Sequence, residues 1–431
     1  MTIVEGIYAL PAGHYAVWRN GKFTIKSYWK LSQEIDEDTA RLSGREISEQ
    51  LRRLLEDSVR LRLISDVPLG AFLSGGIDSS AIVALMSQVS DIPPRTVSIV
   101  FQEKEFSEAP YMRMVVRRFG TEHKEVLLTV EDMLKELPKA LAAMDQPTFD
   151  GVNTYIVSKH TKEAGLTVAL LGVGGDELFA GYEGFRWAPR LQMLRRWAPG
   201  PIGWTIGKLI RLTLQGSDRG RKLSRWFGGE YPDGNAYLLV RELFSPADIR
   251  RLVPDLPRDL LLPSEELNGF SDSDPVNWVS RCELSYYMRN VLLRDTDAMS
   301  MAHSLEVRVP FLDHRLVEFV LSLPGELKLD SSMPKPLLIK SLKGALPDEL
   351  IYRRKQGFTL PFSIWMRGAL KRRIEQVLLD TRSGGEVADV LEHRMVRGIW
   401  ERFLRGRANW VRPWALYVLK KVAEVIHENC R

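Results

Sequence analysis

Cysteine is nearly absent from this 431-residue chain: Cys282 and Cys430 are its only two. Two are too few for a disulfide framework. Neither has a metal-spaced partner nearby, which excludes a cysteine-based zinc site. The chain has no uncharged apolar run long enough to cross a bilayer and no signal-peptide pattern at its start, so a cytoplasmic location is the expectation. It contains no Gly-Lys-Ser/Thr tripeptide and no GxGxxG pattern, which sets aside two familiar phosphate-binding loops. Repeats and low-complexity tracts are also missing. The length exceeds one ordinary hydrophobic core, which favours two domains.

What is present is a different glycine-rich turn. The apolar run 67–73 leads into Ser74-Gly75-Gly76-Ile77-Asp78-Ser79-Ser80, and the helix-like Ala81–Met86 follows. A strand turning through small residues into a helix N-terminus leaves backbone N–H groups aimed at one spot, which suits an anion. Gly75 and Gly76 let the backbone approach a phosphate, the hydroxyls of Ser74, Ser79 and Ser80 add donors, and Asp78 can hold a cation.

Around this turn, strand and helix patterns alternate. Strands are expected at 95–101, 123–128 and 166–171, with helices at 46–63, 108–119, 130–143 and 153–164. Such alternation predicts an α/β fold with a doubly wound parallel sheet, whose ligands bind beyond the strand C-termini where the winding reverses. A second glycine loop, Gly172-Val173-Gly174-Gly175-Asp176-Glu177, ends the last strand. If that strand lies beside the first, Asp78 and Asp176 face one crevice and can share a metal ion. Beyond Tyr182 the pattern turns helical. Leu284, Tyr287, Met288, Val291 and Leu292 recur at helical spacing and read as core, with Arg294, Asp295 and Asp297 off that stripe. The reading divides the chain into a hairpin unit at 1–31 turning at Asn20-Gly21, a linker at 32–45, an α/β core at 46–182 and a helical part at 183–431.

Net charge is only +5, yet residues 186–227 carry ten Lys or Arg and a single acid, Asp218, together with Trp187, Trp197, Trp204 and Trp226. The favoured reading is a solvated basic face over a buried aromatic one. Contact with a membrane surface or a protein partner is the alternative, and nucleic acid is disfavoured.

The segments SGGIDSS (74–80), GVGGDELFAGY (172–182), MAHSLEVRVPFLDHRL (301–316) and RRKQGFTLPF (353–362) together resemble the synthetase half of the glutamine-dependent asparagine synthetases, in the same order and spacing. The resemblance implies a fold of the adenine nucleotide alpha hydrolase-like (ATP pyrophosphatase) type with a large C-terminal helical part. It also implies ATP and Mg²⁺ as cofactors and aspartate or another carboxylate as substrate, with ammonia or a glutaminase subunit as nitrogen source. A homodimer is compatible with it. By this likeness Asp78 and Asp176 hold magnesium, and Ser74, Gly75, Gly76, Ser79 and Ser80 hold pyrophosphate. Phe72, Ile99, Leu171 and Gly172 line the adenosine pocket, and Lys355 and Asp176 serve the reaction. On the residues alone, the favoured reading of Arg353-Arg354-Lys355 is a solvated helix terminus, and His123 has no assigned role.

Two departures stand out. Met1 is followed by Thr2 rather than a nucleophilic cysteine, and most of the family's glutaminase domain is missing. The expectation is that this polypeptide does not hydrolyse glutamine itself, with free ammonia, a separate subunit and a longer parent protein all left open. Val173 stands where the family has Glu or Asp, so Glu177 or Asp150 substitutes, the substrate is another acid, or activity is lost. Other carboxylate-adenylating enzymes, such as β-lactam synthetases and lasso-peptide cyclases, and a silent ATP-binding subunit remain as competing readings.

Overall fold

The computed structural model describes the chain apart from residues 1, 3, 5, 32–38, 40, 199, 214–217, 230–234, 258–273, 382, 430 and 431. Most of the expected linker therefore lies outside the described residues, as does Cys430. The antiparallel hairpin pairs β1 (His14–Arg19) with β2 (Lys22–Ser27) around Asn20-Gly21, and almost all of its side chains are exposed. The Trp29 indole beyond it donates to Glu318 Oε1 at 2.7 Å, tying the hairpin's exit to the main body.

Helix α1 (Gly44–Arg62) opens with a capping box. Ser43 and Glu46 satisfy each other's orphan N–H groups, which places its start inside the expected linker. Ile47, Leu51, Leu55 and Val59, four residues apart, form its buried stripe. Then come β3 (Leu69–Phe72), α2 (Ile77–Val89), β4 (Arg95–Phe101), α3 (Ala109–Phe119), β5 (Glu122–Leu128), α4 (Val130–Ala142), α5 (Gly151–Glu163) and β6 (Val168–Leu170). All pairings in this sheet are parallel, and with a later strand β7 (Glu306–Arg308) the strand order is β5-β4-β3-β6-β7. The chain winds outward from β3 to β5, then returns to the other side of β3.

Alternation along the strands sends side chains to both faces. Ala71, Leu73 and Leu170 join the core shared with α1, α2 and α3, while Phe72, Val97 and Ala169 pack in a separate cluster with Leu166 and Leu305. His123 is structural: its Nδ1 lies 2.8 Å from Thr96 Oγ1.

The edge strand β7 (Glu306–Arg308) corrects the expected division at residue 182, because the sheet borrows it from the C-terminal part. Three residues carry too little periodicity to announce a strand. The stripe at 284–292 is core only in part: Met288 is buried, and Leu284 packs half-buried against the core cluster. Residues Glu283–Leu292 form a π-helix, whose wider turn rotates the spacing out of register, and of the five stripe residues only Met288 is fully buried. A later helix, His314–Ser322, is capped by Asp313 and buries Leu316, Phe319 and Val320 as its sequence suggests. Farther on, Phe362, Trp365, Trp400, Phe403, Trp414 and Tyr417 build an aromatic core against α4 and α5.

The basic stretch inverts its favoured reading. After the short α6 (Gly175–Leu178) come α7 (Gly184–Trp197), α8 (Gly200–Thr213) and α9 (Asp218–Phe227). Of the four tryptophans Trp226 is buried, whereas Trp187, Trp197 and Trp204 are exposed.

Candidate active site

Because β3 and β6 pair in register, with Ala71 opposite Leu170, the two glycine loops leave the same edge of the sheet side by side. Gly75 takes φ +81°, a turn that a side chain would strain. Gly76 then caps α2 without a side-chain hydrogen bond, leaving first-turn donors for a ligand. The second loop abuts the first so tightly that a Cβ on Gly175 would lie 2.5 Å from Asp78 Cγ. Beneath both loops opens a cavity of about 500 Å³.

Phe72, Ser74, Gly76, Asp78, Ser79, Ile99, Leu171, Gly172, Asp176, Glu177 and Lys355 all line this cavity, and so does Val173. Gly75 and Ser80 are not among the lining residues, and Ser80 is wholly buried. The Ser74 and Ser79 hydroxyls lie 3.0 Å apart, and Ser74 Oγ accepts from Gly76 N–H at 3.3 Å. The loop is thus braced by the hydroxyls that face the cavity.

One buried cation joins the two loops. Lys335 Nζ donates to both oxygens of Asp78 at 2.5 Å and lies 2.5 Å from Asp176 Oδ1. Lys355 reaches the same Asp176 oxygen at 2.7 Å, donates to Gly181 O at 3.0 Å and rests 4.5 Å above the Tyr182 ring. Burial opposes ionisation of Asp176, but the two ammonium groups outweigh it and hold the carboxyl at about 2. Asp78 is pushed up by its burial and by the neighbouring Asp176, with Lys335 opposing. Lys335 is held above the ordinary lysine range, since the two carboxylates overcome its burial.

Among the described residues no cluster of three or more His, Cys, Asp or Glu forms a metal cage. Two carboxylates converging on one point nevertheless suit magnesium, which takes one or two protein carboxylates and completes its shell with phosphate oxygens and water.

Residues 50–424 match the family model described as asparagine synthase. The chain belongs to the asparagine synthase family. It is 29% identical to a Bacillus subtilis glutamine-hydrolysing asparagine synthetase 1 over 86% of this chain and 58% of that protein. It is 28% identical to the same organism's asparagine synthetase 3 over 83% and 55%. A Penicillium rubens protein named as an amidase is 26% identical over 88% and 62%. The chain therefore spans between half and two thirds of the length of these curated relatives.

In this asparagine synthase-family chain three of the further carboxylates that line the cavity have their ionisation shifted to higher pH. Glu177 accepts from Tyr182 Oη at 2.6 Å, and burial together with the Asp176 charge raises it to about 7. Asp295, bonded by Thr148 Oγ1 at 2.8 Å, is raised by burial to about 7. Asp150, held by Asn153 Nδ2 at 2.5 Å, is raised by burial as well. Asp150 and Asp295 both line the cavity.

Sequence reasoning missed Lys335, Asp295 and Arg353 as members of the site. Arg353 donates to Gly75 O at 3.1 Å and pairs with Glu108, clasping the first loop from the C-terminal side. The one sequence signal for Lys335 is its position between Pro334 and Pro336, which restricts a backbone held at φ +47°. Asp295 is marked in the sequence only by lying off the apolar stripe, which does not tell a cavity-lining acid from a solvated one.

Proposed function

We propose that this chain is an ATP-dependent carbon–nitrogen ligase of the asparagine synthetase type. A substrate carboxylate oxygen bonds to the α-phosphorus of ATP, and the bond to pyrophosphate breaks. Ammonia then bonds to the acyl carbon, AMP leaves, and the nitrogen loses a proton to give the amide. Anion meeting anion is the obstacle, so positive charge is needed where negative charge develops.

The observation that carries the reading is the convergence of Lys335 and Lys355 on Asp176, beside an α2 N-terminus that no side chain caps. In this reading Ser74, Gly75, Gly76 and Ser79 hold the pyrophosphate portion, whereas Ser80, wholly buried outside the cavity lining, packs behind the loop and does not reach it. Phe72, Ile99, Leu171 and Gly172 form the nucleoside side. Asp78 and Asp176 hold magnesium, which supplies charge neutralisation on the polyphosphate. Lys355, half-exposed at the cavity wall, serves the transferring group, and Glu177 is the acid–base candidate.

Aspartate is the leading substrate. The hairpin's exposed Trp18 and Phe23 support docking of a glutaminase domain or subunit as ammonia source. Mixing the protein with ATP, magnesium, aspartate and ammonium, and measuring AMP, pyrophosphate and asparagine, tests the reading. Absence of AMP formation with every acid in a broad panel would reject it. Nucleotide binding without that chemistry would leave a silent ATP-binding subunit.

A second reading keeps the adenylation and changes the acid. Val173 in the cavity wall favours it, because valine cannot accept a proton, and so does the likeness to a relative named as an amidase. Pyrophosphate release with another carboxylate but not with aspartate selects this reading.

A further inference from the structure

Helix α8 is amphipathic the wrong way round for a globular surface. Its inward stripe is glycine: a Cβ at Gly203 would lie 2.9 Å from Phe227 O, and one at Gly207 would lie 2.7 Å from Ser224 O. Those glycines press α8 onto α9 and leave the large side chains outside. Leu209 is 62% exposed and Leu212 70%, with Ile202 exposed beside them. At 100° per residue, Ile202, Thr205, Leu209 and Leu212 fall within roughly 80° of one another, and Trp204, Lys208 and Arg211 occupy the adjoining roughly 60°.

Aromatic and basic groups border the apolar strip. Lys208 Nζ sits 3.8 Å over the Trp204 ring, so cation and indole stand together at the boundary. At the entrance to α8, Trp197 is 84% exposed. On α7, Trp187, Met193 and Leu194 also face outward, and Arg190 lies 5.9 Å over Trp187. Among the described residues no helix is long and apolar enough to cross a membrane.

We propose that the outward face of α8, with Trp197 at its entrance, docks on the surface of an anionic phospholipid bilayer. The argument is complementarity of charge and shape. Lys208 and Arg211 on α8 and Arg190 on α7 are exposed and match a negative headgroup layer, whereas Arg225 is paired with Asp248 and Lys222 with backbone carbonyls. Aliphatic side chains reach the acyl boundary, and tryptophans beside them suit the interface between the two. A nucleic-acid surface would use flat rings as stacking platforms, whereas the centre of this strip is aliphatic. A protein interface core is depleted in lysine, whereas Lys208 lies next to the strip.

The test is co-sedimentation of the full chain with vesicles of phosphatidylcholine alone and of phosphatidylcholine with phosphatidylglycerol at roughly 2:1. The protein is expected to pellet with the anionic vesicles and to be released progressively by salt. Each basic residue near the surface contributes about fivefold, so K208E/R211E should weaken vesicle binding by tenfold or more. L209S/L212S should weaken it comparably. Both variants should keep wild-type circular dichroism, since the altered side chains are exposed.

Failure of the wild-type chain to bind anionic vesicles overturns the proposal, as does equal binding by wild type and both variants. A vesicle-free dimer that L209S/L212S converts to monomer would assign the face to a second copy and overturn it too. So would retention on single-stranded RNA that only K208E/R211E abolishes, without vesicle binding.

Discussion

Lys335 Nζ bonds both carboxylate oxygens of Asp78 at 2.5 Å, although 257 residues separate the two in the chain. Lys335 also contacts Asp176, so it neutralises a pair of acids that the sheet topology forces together. Lys335→Met would leave both carboxylates buried and underpaired. A loss of about 3–5 kcal/mol in denaturant unfolding is expected, the usual cost of breaking a buried ion pair from one side. Adding Asp78→Asn should restore part of it, and full stability in Lys335→Met alone would refute the pairing.

Lys355 should behave differently. Its side chain is 49% exposed and sits in the loop after Arg353, so little packing depends on it. Lys355→Ala is expected to leave thermal unfolding close to wild type while slowing ATP–pyrophosphate exchange by about a hundred- to a thousandfold. Unchanged exchange would remove Lys355 from the chemistry.

Glu177 links the site to pH. Its carboxyl is raised from 4.5 to about 7 in the folded chain, so between those values the native state binds more protons than the unfolded one. Stability from this group is therefore full at low pH and is lost as pH rises towards 7, by about 3 kcal/mol. Glu177→Gln keeps an oxygen to accept from Tyr182 and does not titrate. Guanidinium unfolding at pH 5 and pH 7.5 should show the wild type losing about 2 kcal/mol more than the variant over that interval.

Asp295 and Asp150 present acidic groups to the cavity whose ionisation burial disfavours. A ligand ammonium would relieve that penalty, which fits an amino-acid substrate. Asp295→Asn retains an acceptor for Thr148 Oγ1. It is expected to raise the KM of the amino-acid substrate about tenfold or more, equivalent to about 1.4 kcal/mol, with the KM of ATP unchanged. Equal changes in both constants would indicate a general disturbance of the cavity.

The strand–loop–helix at 69–89 and the alternation up to residue 170 were readable because each depends on local periodicity and on small residues at a turn. Strand β4 spans Arg95–Phe101 as its pattern suggests, and both glycine loops meet as parallel winding requires. Lys335 and Arg353 were not readable as partners of the first loop, since pairing across more than two hundred residues leaves no mark on local spacing. Strand β7 was hidden by its length. At 284–292 an α-helical period was assumed where the backbone adopts a π-helix, so of the same apolar residues only Met288 is fully buried and the others stay half-buried. In 186–227 composition alone could not tell which side of a helix is turned inward. Gly203 and Gly207 decide that, by allowing a backbone approach that puts leucine outside.

The clasp of Arg353 on Gly75 spans 278 residues, and this sets an order of events during synthesis. The phosphate-loop strand and its helix leave the ribosome early, yet the sheet lacks its edge until residues 306–308 arrive, and Asp78 has no counter-charge until Lys335 does. Nascent chains ending before that point carry two converging acids and an unpaired β6 edge, a combination that favours association with other chains. Fragments cut between the two glycine loops and Lys335 should accordingly be insoluble when expressed alone and should recover when the C-terminal piece is supplied alongside.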